Sequence, residues 1–222
     1  MKTTLKLLTS SLLLMLVVTS CANKIIDNDL IINDDLDENL FFYNGNEKIY
    51  LQQVKDKILL TFTLDARTEQ IEAIMDNYSS LKLIDDFYFG NEEEHPFISA
   101  YAAYYDKNNK PISLETIESL KKHTDVVAVT YLLKIKGKNN KLLGLQDYFI
   151  AETSSYAKMQ ELAEKYDCRI KTHPYLSGYL IHVCKTSGLN AMQTANIFYE
   201  SGHFTFAEPS LLGYSYTSNS NY

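Results

Sequence analysis

The sequence predicts an α+β protein made of two tandem copies of one β-α-β-β-α-β unit with antiparallel sheets, opened by a short β-hairpin. Three observations lead there. One order of elements occurs twice, over residues 57–135 and again over residues 145–213. Within each copy, segments with apolar residues at three- and four-residue spacing alternate with short β-branched or aromatic runs. Ahead of both, Asn44-Gly45 stands between Phe41-Phe42-Tyr43 and Ile49-Tyr50-Leu51, a strong short-range hairpin signal.

The chain starts with a secretion signal over residues 1–20. Lys2 and Lys6 form its basic end, Leu7 to Val18 its apolar stretch, and Val18-Thr19-Ser20-Cys21 follows. The apolar stretch falls short of the roughly 20 residues a spanning helix needs. Small residues before a cysteine resemble the lipobox of bacterial lipoproteins, which implies cleavage before Cys21 and acylation of that residue. Ala22 does not look like an inner-membrane retention signal, so the expected location is the cell envelope, anchored by lipid to the outer membrane. Residues 21–40 carry Asp27, Asp29, Asp34, Asp35, Asp37 and Glu38 without helical or strand periodicity and read as an acidic tether.

Losing the signal removes Lys2 and Lys6, so 19 of the 21 Lys and Arg remain against all 28 Asp and Glu, a net charge of about −9. No Lys/Arg cluster stands beside aromatics, so a nucleic-acid partner, which requires phosphate neutralisation, is not expected.

The hairpin is expected over residues 41–56. In the first unit, Ile58 to Leu64 reads as a strand, and Asp65 is placed to cap a helix with Ile71, Ile74, Met75 and Tyr78 on one face. Leu81 to Phe89 and Phe97 to Tyr105 read as strands, Ser113 caps a helix through Ile117 and Leu120, and Val126 to Leu133 closes the unit. In the second, Asp147 to Glu152 is a strand. Ser154 caps a helix with Tyr156, Met159, Leu162, Ala163 and Tyr166 facing inward. Cys168 to Thr172 and Tyr179 to Cys184 pair about a turn at Tyr175 to Ser177. Asn190 to Ser201 is a helix ended by Gly202, and Phe204 to Phe206 is the last strand. Each unit then packs two helices on one face of a four-stranded sheet, the ferredoxin-like arrangement. Right-handed crossovers put its first strand between the third and fourth.

No phosphate loop, HExxH, nucleophile elbow or EF-hand loop occurs. No catalytic residue, metal site or cofactor is expected, and the protein is read as no enzyme. Cys168 and Cys184 fall nearly opposite one another on the expected hairpin. They are either a disulfide, feasible after export, or two small buried side chains. His182 shares a strand face with Cys184, but no fourth metal ligand is evident beside these two and Cys168. His95, His123, His173 and His203 are scattered, and Glu92-Glu93-Glu94 reads as a solvated loop.

Three stretches, FFYNGNEKIYL (Phe41 to Leu51), DYFIAE (Asp147 to Glu152) and GLNAMQTANIFYESGHFTFAEPSLL (Gly188 to Leu212), resemble the N-terminal propeptide, inhibitor I9-like, of secreted bacterial subtilisin-like serine proteases. In that family the segment helps its protease fold and inhibits it, and the strand ending in EP or DP leads into the catalytic domain. Here the sequence ends at Tyr222 without the Asp, His and Ser segments of a protease. The resemblance implies a freestanding propeptide-like lipoprotein that acts in trans on a subtilisin-like protease. Leu211, Leu212, Tyr214 and Tyr216, in the extended residues that leave the last strand and run into a flexible tail over residues 214–222, would fill the substrate cleft. The alternatives are that these residues pack on the protein's own sheet, and that the protein is a cell-envelope binding or scaffold lipoprotein without protease-related activity.

Overall fold

The computed structural model describes residues 40–63, 65–84, 100–138, 141–172 and 178–213. Strand β1 (Phe41–Asn44) turns at Gly45, whose φ of 57° suits glycine, and pairs antiparallel with β2 (Glu47–Phe62), Phe41 opposite Tyr50 and Asn44 opposite Glu47. A break between hairpin and first unit was expected at residues 56 and 57. Instead β2 runs through both as one strand. Its polar run Lys55-Asp56-Lys57 forms a bulge, the register stepping from Val54 opposite Leu132 to Ile58 opposite Tyr131. A bulge absorbs extra residues without ending a strand, which is why a charged interruption in the pattern was not a boundary.

The first sheet places β2 between β4 (Ala100–Asp106) and β5 (Val126–Ile135), with β3 (Leu81–Leu83) on the far side of β4, all pairs antiparallel. Helices α1 (Thr68–Met75) and α2 (Leu114–Lys121) cover one face, where Ile71, Ile74, Ile117 and Leu120 bury against Ile58, Leu60, Phe62 and Val126. Each such side chain is worth about 1.5–3 kcal/mol in transfer from water. Ser113 caps α2 as expected, accepting the Thr116 N–H at 3.2 Å. Asp65 does not cap α1; the helix begins after Arg67, whose N–H donates to Gln70 Oε1 at 2.9 Å.

The second sheet repeats this order. Strand β6 (Gly144–Glu152) lies between β8 (Tyr179–Val183) and β9 (Phe206–Leu212), and β7 (Cys168–Thr172) flanks β8. Helices α3 (Tyr156–Lys165) and α4 (Ala191–Glu200) bury Met159, Ala163, Ala195 and Phe198 against Phe149, Ala151 and Ile181. Asn190 and Gln193 cap α4 reciprocally, at 2.9 and 3.0 Å, and Gly202 follows it with φ 74°. Helix α3 starts after Ser155 rather than Ser154, and Thr153 Oγ1 accepts the Ser155 N–H at 3.0 Å. Tyr156, expected to face inward, is 47% exposed and leans on the Tyr179 ring.

The last strand departs most from expectation: it starts at Phe206, not Phe204, and continues to Leu212. Pro209, which has no N–H, lies inside this longer strand. Strand β9 ends the strand order, and an outer strand tolerates a residue without an N–H. The run alternates, with Ala207, Pro209 and Leu211 buried.

The two sheets share one compact unit. Phe42 and Leu51 of the hairpin belong to the core of the second sheet. On the first sheet, Leu59, Tyr101, Ala103 and Leu132 face away from the helices and are packed by Leu142 and Leu212. A bridge pairs Leu133 with Leu143. After β8, a 3-10 turn (Lys185–Ser187) carries Lys185, whose ammonium donates to Val126 O at 2.8 Å and His123 O at 3.2 Å. Among the described residues no helix is long and apolar enough to cross a membrane.

Candidate functional site

Between Leu145 opposite Leu211 and Phe149 opposite Pro209, strand β6 bulges, and the bulge presents Gln146, Asp147 and Tyr148 beside Ser210. Bulges re-aim side chains, and this one directs a carboxylate into the junction between the sheets. The Tyr101 hydroxyl, reaching from β4, donates to Asp147 Oδ1 at 2.8 Å. His182 lies opposite Tyr148 in register, its ring 5.4 Å from the tyrosine's, with its Nδ1 3.8 Å from Asp147 Oδ2. Arg169 is its partner on β7. Ser210 Oγ donates to Gln146 Oε1. Among the described residues, His182 Nε2 has no hydrogen-bond partner.

Burial keeps the two tyrosines of this cluster protonated. Burial raises the Tyr101 hydroxyl far above the ordinary tyrosine range, and the Asp147 charge adds to it, so Tyr101 keeps its proton and donates it to Asp147. Burial also raises Tyr148, against the pull of its hydrogen bond with Ser210. The 3.8 Å between His182 and Asp147 exceeds hydrogen-bond length, so the imidazole is a neighbour of the carboxylate rather than its bonded partner. The arrangement has the chemistry of a buried polar lock between two sheets. The sequence reading did not single out Tyr101 or Asp147. The available signal was Gln146-Asp147, two polar residues in succession inside an otherwise apolar strand.

A second constellation joins the hairpin to α4 and β9. Tyr43 and Tyr199 rings stack at 4.4 Å; Tyr43 donates to Glu200 Oε1 at 2.8 Å and Tyr199 to Asn46 Oδ1 at 2.7 Å. Asn196 Nδ2 donates to Phe41 O at 2.8 Å, and the Gly45 N–H donates to Glu208 Oε1 at 3.1 Å. Phe149 of β6 meets Phe198 of α4 edge-on at 5.0 Å. Residues from Phe41 to Leu51, Asp147 to Glu152 and Gly188 to Leu212 thus form one interlocked assembly, although 95 residues of chain separate the first stretch from the second.

The tail residues divide. Leu211 and Leu212 are part of β9: Leu211 is buried opposite Leu145, and Leu212, opposite Gly144, packs against the Leu59–Tyr101 cluster. Their apolar side chains are spent on the protein's own cores, which corrects their placement in a tail. Tyr214, Tyr216 and Cys21 lie outside the described residues, as do His95, His173, Glu92-Glu93-Glu94 and the turn Tyr175 to Ser177.

Cys168 and Cys184 are both thiols, each half-buried. They are not opposite one another as expected: Cys168 faces Val183, and Cys184 stands one rung further on, just past the end of β8. His182 lies beside Asp147, and among the described residues no His, Cys, Asp and Glu side chains gather into a group able to hold a metal ion. His123 contacts the Tyr78 hydroxyl through Nε2 at 3.3 Å. Set against family models, curated proteins and solved structures, the chain matches none.

Proposed function

We propose that the chain is a lipid-anchored, non-enzymatic protein of two tandem ferredoxin-like units that acts in trans as a protease propeptide, inhibiting or chaperoning a subtilisin-like protease at the cell envelope. The observation that carries this reading is the interlocked assembly of hairpin, β6 and α4–β9, because it unites the three stretches that resemble the propeptide family. The strand orders support it: in each unit the first strand lies between the third and fourth, with the second outermost, the order of a split β-α-β unit. Anchoring would be through acylated Cys21.

Leu211 and Leu212 are held in β9, so the contact with a protease falls to the chain after Gly213. Tyr214 and Tyr216 are the anchors there, lying along the substrate cleft by β-addition. A second reading, a binding or scaffold lipoprotein of the envelope, draws on the same burial of Leu211 and Leu212, which leaves the inhibitor a shorter tail. Inhibition of a panel of subtilisin-like proteases by residues 22–222, compared with residues 22–213, separates the two. Inhibition lost on shortening is the expected result. If neither form inhibits or binds any of them, the inhibitor reading fails and the scaffold reading stands.

A further inference from the structure

We propose that the outer face of the three-stranded ribbon β1–β2–β5 is a docking surface for an anionic membrane. Across this ribbon Phe41 stands opposite Tyr50, Tyr43 opposite Lys48 and Gln52 opposite Lys134. The Lys136 N–H donates to Tyr50 O at 2.9 Å, which carries the β2–β5 ladder one rung further. Opposed residues share a sheet face, as do alternate residues along a strand. Phe41, Tyr43 and Tyr50 therefore share one face with Lys48, Lys134 and Lys136. Leu51 and Ile135, paired at the intervening rung, turn the other way into the core of the second sheet. Lys48, Tyr50, Lys136 and, in the turn after β5, Lys138 are exposed. The Lys48 ammonium lies 4.1 Å from the centre of the Phe41 ring and 5.4 Å from that of Tyr43, so cation and aromatics are presented together.

The charge of this face opposes that of the chain. From Val126 to Gln146 there are four lysines, Lys134, Lys136, Lys138 and Lys141, and no Asp or Glu, in a chain of net charge −7. Glu200 is hydrogen-bonded to Tyr43, and Glu47, alternating with Lys48, falls on the side of Ile49 and Leu51. At physiological ionic strength the Debye length is about 8 Å, so lysines touching a surface act on it while carboxylates elsewhere on the body are screened. Each such lysine strengthens binding to an anionic leaflet about fivefold. The exposed Tyr50, an apolar ring with a polar hydroxyl, suits the headgroup layer.

The path of the chain selects this occupant. Leu40 O accepts the Leu51 N–H at 2.8 Å, so the residues leading into the folded part arrive beside this ribbon. Cys21 precedes Leu40 by 19 residues, at most about 65 Å of chain. On the lipid-anchor reading, on which this step rests, the body is tethered by the end that carries the basic face, and the tether holds that face at high effective concentration near the bilayer. The acyl group supplies attachment, and the basic face sets which side of the body meets the membrane.

The test uses residues 21–222 with Cys21→Ser, which keeps every described element and carries no acyl group. It is sedimented with vesicles of phosphatidylglycerol and phosphatidylcholine in equal parts, or of phosphatidylcholine alone. Binding to the anionic vesicles only, lost in about 0.5 M salt, is the expected result. Lys134→Gln, Lys136→Gln and Lys138→Gln together should weaken it on the order of 100-fold. Lys82→Gln, Lys110→Gln and Lys122→Gln, the same change of charge on exposed lysines of the first unit, should weaken it less than about threefold. Equal binding to both vesicles, binding to neither, or equal loss in the two triple variants would overturn the proposal. So would binding that emerges only with Asp34→Asn, Asp35→Asn, Asp37→Asn and Glu38→Gln, which would make the acidic residues before Leu40 the occupant of the face. Labelled palmitate on Cys21 of the native chain in cells reads the anchor separately, so failure of the anchor and failure of the docking face are distinguishable.

Discussion

Tyr101 on β4 and Asp147 on β6 are joined by a 2.8 Å hydrogen bond that crosses from one sheet to the other. The phenol is fully buried and the carboxylate nearly so. Removing the donor leaves a buried charge short of one partner, which costs about 1–3 kcal/mol. Tyr101→Phe is therefore expected to lower the unfolding free energy by that amount in urea titrations. Tyr43→Phe, which deletes an exposed bond to Glu200, should cost under about 1 kcal/mol. Equal effects would show that the Tyr101–Asp147 bond contributes no more than a surface contact.

Leu211 tests the division between strand and tail. Because it is buried opposite Leu145, Leu211→Ala is expected to destabilise by about 2–5 kcal/mol through loss of contact and a residual cavity. On the proposed inhibitor reading, Tyr214→Ala and Tyr216→Ala are expected to weaken capture of a subtilisin-like protease. Thermal melts and binding measured on the same three variants distinguish the roles.

Two carboxylates should respond to pH with opposite sign. Burial raises Glu208 above the ordinary range, against the opposing bond from the Gly45 N–H. Its folded form holds the proton more tightly than the unfolded chain, so its contribution to stability falls as pH rises from the unfolded value through the raised one. Glu208→Gln keeps an acceptor for Gly45 and should raise the melting temperature at neutral pH, the gain disappearing in acid. Asp106 behaves conversely. The Lys110 and Asn108 N–H groups, donating at 3.2 and 2.9 Å, hold its carboxyl below the usual range. The stability it contributes is present above the unfolded value and lost as pH falls through the lowered one. Asp106→Ala should thus be destabilised near neutrality and approach the parent in acid. Melting curves from about pH 3 to about pH 8 read both signs.

Capping gives a local comparison. Asn190→Ala removes the acceptor for the Gln193 N–H and is expected to cost about 0.5–2 kcal/mol. Ser155→Ala, at the start of α3, should cost little, since the Ser155 side chain makes no cap bond. Chemical denaturation of the two variants side by side checks the contrast.

Much of the element order was legible because it depends on local pattern. Ser113 caps the helix it introduces, Gly45 and Gly202 take left-handed backbone where hairpin and helix turn, and Ile71, Ile74, Ile117, Leu120 and Met159 bury the faces their spacing marks out. These features need only neighbours within a turn or a strand. Where a strand ended was less legible, because an interruption in pattern has two outcomes. Lys55-Asp56-Lys57 became a bulge within β2, and Pro209 was tolerated because β9 is outermost; both depend on which strands lie alongside.

The sequence by itself determined the alternation of helices and strands, the hairpin turn and the inward faces, since propensity, capping and periodicity act over a few residues. The tertiary structure decided that the hairpin's Phe42 and Leu51 complete the core of the second sheet, that Tyr101 meets Asp147, that Cys184 stands one rung beyond Cys168, and that Leu211 and Leu212 are held in a strand. Each of these is a pairing between segments distant in sequence. Register, bulges and the packing of one sheet on another select such partners, and no local propensity encodes them.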